Sequence, residues 1–396
     1  MFGNAHMFVA LALLIIPIST TAIEMTDYIE PDSFYDEAYI TGQFRLNSGN
    51  QDQTSFDGTA LGYYDLTSST LPFTWNLRLD GQTDFSRGED EGASTQRGYK
   101  LLASADGNKY FGNTSELFGY GSLDLGHRRL FGADEDDDPY VKPGVGIGYG
   151  RVFNATPLAD VLRFVEELKQ YGVITGRLDD RTYLDLANVI ARESEFKSRY
   201  GLRDYEQHWV AELEKILQNA GVLKGNALGA VGVLKIHDVL FNEKIGIRKH
   251  GWLFKAGAGY IASNYDGSKG DSSLDLSFEY AMPMGYKLQF IELAEYSTIW
   301  EDDPIHRVRN RMSLTYELSD RIDWENIWEF NGLFPSEDDA KDLITNELSS
   351  TFRYYLSNQI TANFSLALTH VEDDVDDNGN DDIERAVFMG VTYRLK

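Results

Sequence analysis

The sequence predicts an all-β transmembrane antiparallel barrel of about fourteen strands, within a range of about twelve to sixteen, with an inserted periplasmic α-helical domain. Three observations lead to this prediction. Apolar and polar residues alternate with period two through most of the chain, and one segment of about ninety residues follows the helical period instead. The connections between the alternating segments are by turns short and long, as they are in membrane barrels.

The clearest alternation lies in residues 306–334, where large apolar side chains occupy even positions and charged side chains occupy odd positions. Period two indicates a strand with two unlike faces, because successive side chains point to opposite sides. A soluble sheet would need a core to cover an aromatic face. An aromatic face opposite a charged one is therefore typical of a barrel wall with lipid outside and water inside. The apolar residues that define the pattern are Val308, Met312, Leu314, Tyr316, Trp324, Trp328 and Phe330.

The same alternation predicts six strands before the insertion and eight after it. The glycine-rich segment 144–150 belongs to the sixth strand, where glycine permits bending or close approach of neighbouring groups. The predicted strands are 35–46, 56–66, 73–80, 99–111, 117–130 and 140–153, followed by 252–260, 274–280, 286–300, 307–318, 322–334, 344–356, 360–370 and 383–395.

The period changes at Thr156, which we expect to cap a helix that has Pro157 at its first position. Asp179 is the predicted cap of a second helix, and a third ends before Gly221. The segment 226–241 fits a helix, although its valines and glycines would also fit a strand. The predicted domains are the first part of the barrel at 23–153, the helical domain at 154–245 and the second part of the barrel at 246–396.

Residues 1–22 are expected to be a secretory signal, because an apolar run at 7–18 is followed by small residues. The segment before that run carries no Lys or Arg, and the alternative is a buried N-terminal helix. The net charge of −27 argues against a nucleic-acid partner, which would need clustered basic residues. The absence of cysteine excludes a disulfide scaffold and a thiolate metal site.

The alternation, the turn asymmetry and the signal-like N-terminus together resemble Gram-negative outer-membrane β-barrels, such as porins, as a general class. The resemblance covers residues 35–153 and 252–396 and indicates no specific family. It implies a place in the cell outer membrane, among its lipids and lipopolysaccharide. Counting strands back from the C-terminus places both termini and the helical domain on the short-turn side, in the periplasm.

The candidate functional site is the charged face of the wall. The alternation favours a register in which Arg311 lies opposite Glu329, with a three-residue turn at 319–321. Within this hairpin Arg307 and Arg309 have no carboxylate directly opposite. The charges could select a solute or brace a water-filled wall, and no ion preference follows because both signs are abundant. The predicted lumen-lining residues are Arg307, Arg309, Arg311, Glu325, Glu329 and Arg353.

One acidic loop resembles the first half of a calcium-binding loop, with alternating oxygen ligands and a glycine at the turn. The predicted ligands are Asp374, Asp376, Asn378 and Asn380. Arg385 stands where such a loop has its bidentate glutamate, so the alternative is a solvated acidic loop. No other cofactor is expected.

Catalysis has little support in the sequence. His127, His306 and His370 fall near the ends of strands, but no serine stands at a recognisable spacing from any of them. The favoured function is an outer-membrane channel or export pore for small solutes or a polymer, whose helical domain docks a periplasmic protein or gates the lumen. A structural or assembly scaffold is the alternative, and an outer-membrane hydrolase is the third hypothesis. Neither the cargo nor the oligomeric state follows from the sequence.

Overall fold

The structure, a computed structural model, describes residues 23–30, 32–49, 51–112, 115–243, 246–300, 303–337, 340–357, 359–373, 375, 380 and 382–395, without the side chains of Ser33 and Arg394. The predicted signal segment 1–22 lies outside the described residues.

Fourteen antiparallel strands form a closed barrel, in which each strand pairs with its neighbours in the chain and the first pairs with the last. The predicted architecture, an antiparallel barrel of about fourteen strands with an inserted helical domain, is confirmed. The strands are β1 (Asp32–Asn47), β2 (Ser55–Thr70), β3 (Phe73–Arg87), β4 (Gln96–Tyr110), β5 (Leu117–Arg129), β6 (Tyr140–Asn154), β7 (Lys249–Ile261), β8 (Asp271–Met284), β9 (Leu288–Trp300), β10 (Ile305–Ser319), β11 (Ile322–Pro335), β12 (Leu343–Tyr355), β13 (Ile360–Glu372) and β14 (Glu384–Arg394).

The connections differ between the two ends of the barrel. One end, here called the short-turn end, carries the turns 71–72, 111–116, 285–287, 320–321 and 356–359, together with the helical insertion. The other end, called the long-loop end, carries connections that are mostly longer, at 48–54, 88–95, 130–139, 262–270, 301–304, 336–342 and 373–383. The predicted alternation of connection lengths is therefore present.

The β10–β11 hairpin has the predicted register, with Arg311 opposite Glu329. The predicted three-residue turn is wrong, because Ser319 pairs with Ile322 across a two-residue turn. A bulge between Glu317 and Ser319 takes up the odd residue. A bulge inserts one residue on one strand only, so it keeps the register of the hairpin while shortening the turn.

Four helices lie between β6 and β7: α1 (Thr156–Gln170), α2 (Asp180–Ala191), α3 (Glu193–Asn219) and α4 (Gly229–His237). Asp179 caps α2 as predicted, accepting from the Thr182 backbone N at 2.9 Å. The hydrogen bonds from Thr182 hold the pKa of the Asp179 carboxyl below its ordinary value. The predicted cap at Thr156 is wrong, because α1 begins at Thr156 itself and Ala155 at the N-cap position makes no side-chain cap hydrogen bond.

The helices share one apolar core with the N-terminal segment of the described chain. Ile23, Met25 and Tyr28 are buried against residues such as Leu158 and Leu213. His250 Nε2 of β7 donates to the Tyr28 carbonyl oxygen at 2.7 Å. The N-terminal segment therefore contacts both the helical core and β7, and links the two.

Candidate functional site

The barrel wall has an apolar outer surface and a charged inner one. Outward side chains are exposed in mid-strand, with Val145 at 68%, Ile147 at 62% and Met389 at 78%. Phe44, Phe56 and Phe85 cluster on the outer surface towards the long-loop end, with ring centroids 6.1–6.3 Å apart. Phe73, Trp75, Trp252 and Tyr354 are exposed outward near the short-turn end. An apolar band between two groups of aromatic rings fits a lipid bilayer.

The inner surface carries the predicted arginines of β10, which point inward together with Glu329 of β11. Arg309 Nη2 lies 3.1 Å from Glu329 Oε1, and Arg311 Nε lies 3.9 Å from Glu329 Oε2. Glu329 thus contacts the arginine directly opposite and the one diagonal to it, as the hairpin register predicts. The ion pairs among Arg309, Arg311 and Glu329 fit the interpretation in which opposite charges brace the wall.

The expectation that Arg309 lacks an opposing carboxylate holds only for the β10–β11 hairpin. On the other side of β10, Glu295 of β9 is the direct register partner of Arg309, and their side chains lie 3.7 Å apart. The hairpin alone could not reveal this pair, because a barrel strand has two neighbours. Arg309 therefore belongs to a three-strand ion-pair network.

Glu325 and Arg353 form a second inward pair across β11 and β12. An Arg353 guanidinium nitrogen donates to Glu325 Oε2. Thr315 Oγ1, opposite Glu325 on β10, also donates to this carboxylate, at 3.4 Å. Three neighbouring strands are joined through one carboxylate, which stiffens the wall in the short-turn half of the barrel.

Arg307 is the arginine of β10 for which the described residues provide no carboxylate partner. Its register partners are Leu333 of β11 and Ser297 of β9. Within the described residues no carboxylate oxygen lies within 4.0 Å of its guanidinium group, and the side chain is exposed to the lumen. Arg307 is thus an inward-facing cation of β10 with no carboxylate partner among the described residues.

Glycines on the inner face of β6 and β7 let aromatic rings of β5 lie flat against the wall. A Cβ placed on Gly148 would meet the Phe118 ring at 2.2 Å, and one on Gly257 would meet the Tyr120 hydroxyl at 2.2 Å. The close approach predicted for the glycine-rich segment is present. We call Phe118, Tyr120 and the glycines beneath them the glycine floor.

Two ion pairs bridge the glycine floor between strands that are not neighbours. Lys255 Nζ of β7 lies 2.8 Å from Asp106 Oδ1 of β4, and it also lies over the Tyr120 ring at 5.3 Å. Lys142 Nζ of β6 lies 2.7 Å from Asp275 Oδ1 of β8. Strand alternation predicts that these side chains point inward. The register between two adjacent strands does not predict a contact between strands that are not adjacent.

The glycine floor gives a direct stability prediction. Replacing Gly146 with alanine would place its Cβ 2.4 Å from the Ala256 carbonyl oxygen and 2.5 Å from the Tyr120 ring. We expect a loss of about 1–3 kcal/mol in the free energy of unfolding, since overpacking forces the backbone to shift. Gly390→Ala is the control, because no atom lies within 4 Å of its added Cβ. Urea unfolding in lipid vesicles measures the free energy of unfolding of both variants. Equal losses in the two variants would contradict the claim that the glycine floor requires glycine at position 146.

Arg248 anchors the helical insertion to the rim of the short-turn end. Its side chain is fully buried and donates to the carbonyl oxygens of Tyr286 at 2.7 Å and Gly246 at 2.9 Å. A guanidinium nitrogen lies 3.1 Å from Glu317 of β10, whose carboxylate also accepts from the Gly246 backbone N at 3.2 Å. The Arg248 backbone N donates to Thr156 Oγ1 at 3.0 Å, which ties the first turn of α1 to the chain before β7.

A cavity of about 230 Å³ lies beside this anchor, between α1 and the rim of the barrel. Arg163 crosses its wall, with Nε 3.0 Å from Glu243 and Nη1 2.8 Å from Glu167. The Tyr286 hydroxyl donates to Glu166. These contacts hold the insertion against one part of the rim, formed by the ends of β7 to β10.

One histidine, His306, contacts a serine that spacing in the sequence does not indicate. His306 Nε2 lies 3.3 Å from Ser336 Oγ, and His306 Nδ1 lies 2.8 Å from the Tyr296 hydroxyl. Ser336 is thirty residues away in the chain and follows the end of the paired strand. His127 instead bonds Tyr99 at 2.9 Å, and His370 pairs with Asn346.

The predicted calcium ligands Asp374, Asp376 and Asn378 lie outside the described residues. The fourth, Asn380, donates from Nδ2 to Asp373 Oδ2 at 2.9 Å. Among the residues that the structure describes, no group of three or more His, Asp or Glu side chains could hold a metal ion. The calcium site stays a prediction.

No helix in the described part of the chain is both long and apolar enough to cross a membrane. No protein-family model matches the chain, and no curated protein matches it.

Several solved structures match the chain at low identity. CdiB from Escherichia coli is 8% identical with a TM-score of 0.37; the match covers 92% of this chain, which spans 63% of the length of CdiB. OccK3 (OpdO) of Pseudomonas aeruginosa is 9% identical with a TM-score of 0.32, over 94% of this chain and 97% of that one. The Acinetobacter baumannii outer membrane protein Omp33 is 8% identical with a TM-score of 0.29, over 92% and 98% of the two chains.

Proposed function

We propose that this protein is a channel of the bacterial outer membrane, through which small solutes or an extended polymer pass along the charged inner surface of the barrel. One observation carries the proposal: the same wall presents an exposed apolar band outward and a network of charged side chains inward. Such a wall suits lipid on one side and water on the other. A barrel of this strand number has an interior wider than its own side chains fill.

The direct test is conductance of the purified full chain in planar bilayers. The channel proposal predicts discrete current steps in salt solution. A folded barrel that inserts into the bilayer and never passes ions would overturn it and favour the scaffold, in which the barrel serves only as an anchor.

Within this proposal the helical insertion docks a periplasmic partner rather than gating the lumen. Its contacts through Arg248, Arg163 and Tyr286 lie on one part of the rim. Val231 and Leu234 of α4 are exposed at 49% and 62%. Replacing residues 156–243 by a short Gly-Ser linker should leave conductance unchanged and abolish function in the cell. Altered conductance would indicate gating instead.

Arg307 should set part of the ion preference of the channel. One unit charge at about 10 Å in water contributes about 0.4 kcal/mol, so Arg307→Glu changes the local potential by about 0.8 kcal/mol, or about fourfold in ion concentration. We expect the reversal potential in a salt gradient to shift towards cations. Arg181→Glu is the control, since its side chain lies on α2 and is 87% exposed. An equal shift in both variants would contradict a role for Arg307 in the lumen.

A hydrolase is the second candidate, favoured by the contact between Ser336 and His306. A serine hydroxyl beside an imidazole that a third group orients is the arrangement of an activated nucleophile. The Ser336 backbone N already donates to the Pro304 carbonyl at 3.0 Å, so it does not serve an oxyanion. Purified protein incubated with phospholipid tests this candidate. Hydrolysis that Ser336→Ala abolishes would support it, and an inert wild-type protein would exclude it for that substrate.

A further inference from the structure

The outer surface carries a polar patch where an apolar surface is expected. On β4 to β8 the outward mid-strand positions hold only apolar residues and glycine, such as Leu101, Leu123, Val145, Ala256 and Leu276. On β9 to β12 the corresponding surface includes Glu292, Asn310, Asn326 and Ser350, which we call the polar patch.

The register places these side chains on the outer face. Glu292 pairs with Met312 and with Tyr280, both of which alternate with inward charged residues. Asn310 pairs with Phe330, and Asn326 pairs directly with Ser350. The patch therefore occupies four contiguous strands and surrounds Trp328 at its centre.

The hydrogen bonds within the patch use only some of the donors and acceptors that its side chains carry. Asn310 Nδ2 donates to Glu292 Oε1 at 3.2 Å, and Trp324 Nε1 donates to Ser350 Oγ at 2.9 Å. Asn310 Oδ1 has no partner, but it is buried within the chain and out of reach of another molecule, so it adds no open acceptor to the surface. The Asn326 amide makes no side-chain hydrogen bond within the described residues. Amide groups that face hydrocarbon without a partner are unfavourable, because lipid tails offer no hydrogen bonds.

We propose that the polar patch is the interface between two copies of this chain, related by a two-fold axis. The Asn326 amide carries both donors and an acceptor, so the same patch on a second copy can satisfy it. An isologous interface requires such self-complementarity, because each surface meets its own copy. Trp328 supplies a large flat ring at the centre, where interfaces draw most of their binding energy. The inference rests on the membrane location contained in the proposed function.

The full chain in nanodiscs tests the proposal through its oligomeric state. Native mass spectrometry should give twice the monomer mass, and the triple variant Glu292→Leu, Asn310→Leu, Asn326→Leu should give the monomer. Leu123→Ala is the matched control on the opposite, apolar side and should stay dimeric. Heat-dependent mobility in gels reports whether each variant is folded. A monomeric wild-type protein, or a folded triple variant that remains dimeric, would overturn the proposal.

Disulfide trapping locates the contact independently, because the chain has no cysteine. Asn326→Cys in native membranes should form a cross-linked dimer under mild oxidation, and Leu123→Cys should not. Equal cross-linking of both, or of neither, would contradict the interface. A cross-link to a different protein, or a lipid retained at the patch, would identify another occupant. Either result would overturn the proposal that a second copy covers the patch. These outcomes are distinct from loss of conductance, which bears on the channel itself.

Discussion

Leu276→Arg is expected to destabilise the barrel by about 2–4 kcal/mol in a bilayer, the effect of arginine at mid-membrane on a lipid-facing strand. Leu276 lies midway along β8 and points outward, between Ala256 of β7 and Tyr296 of β9. An arginine there would bring its charge into hydrocarbon or force the side chain to reach for the surface. Urea unfolding in lipid vesicles measures the change.

The neighbouring residue provides the control. Ser277 points inward, opposite Lys255 and Glu295, so Ser277→Arg places the same charge in the aqueous lumen. We expect a change within about 0.5 kcal/mol for this substitution, as for other surface sites. If the two variants were equally stable, the outer face of β8 would not be in contact with lipid.

Arg248→Met is expected to cost about 3–5 kcal/mol, because it leaves the buried Glu317 carboxylate without its cation. Glu317 is 8% exposed, and its carboxylate also accepts a hydrogen bond from the Gly246 backbone N. The carbonyl oxygens of Tyr286 and Gly246 would also lose their donor. We expect the helical insertion to separate from the rim and become sensitive to protease, while the barrel keeps its heat-dependent mobility.

A second substitution distinguishes the ion pair from general damage. Adding Glu317→Gln to Arg248→Met removes the uncompensated charge and should recover part of the lost stability. Arg181→Met, on the exposed surface of α2, should have no effect. If the double variant were less stable than Arg248→Met alone, the buried charge would not be the cause of the loss.

The barrel was predictable from the sequence because period two is repeated in every strand. Residues with even numbers face outward on β10 and β11, and this parity, together with a turn placed at 319–321, gave the pairing of Arg311 with Glu329. The bulge that shortens the turn leaves parity unchanged, so the register was right although the turn was wrong. Local pattern determined what each side chain faces.

Contacts between distant strands could not be predicted in the same way. Glu295 opposes Arg309 through the second neighbour of β10, and Lys255 reaches Asp106 across two intervening strands. Such pairs depend on the curvature of the closed wall and on the glycines that let rings lie flat. Ser336 contacts His306 because β10 begins beside the end of β11, where Ile305 pairs with Pro335.

In the helical insertion, too, contacts between nearby residues were predictable and contacts between distant residues were not. Asp179 caps α2 through a bond three residues away, which sequence spacing indicates. Thr156 was expected to act similarly, but its hydroxyl accepts from Arg248, ninety-two residues later in the chain. Tertiary contacts overrode the local preference at the point where the insertion meets the barrel.

The central claim, a wall with lipid outside and water inside, is tested most directly by cysteine scanning of β8. The chain contains no native cysteine, so single substitutions from Leu274 to Glu279 can be labelled one at a time in native membranes. We predict that a charged, water-soluble thiol reagent modifies positions 275, 277 and 279 and spares 274, 276 and 278. Labelling of all six positions, or of the even ones alone, would contradict the claim.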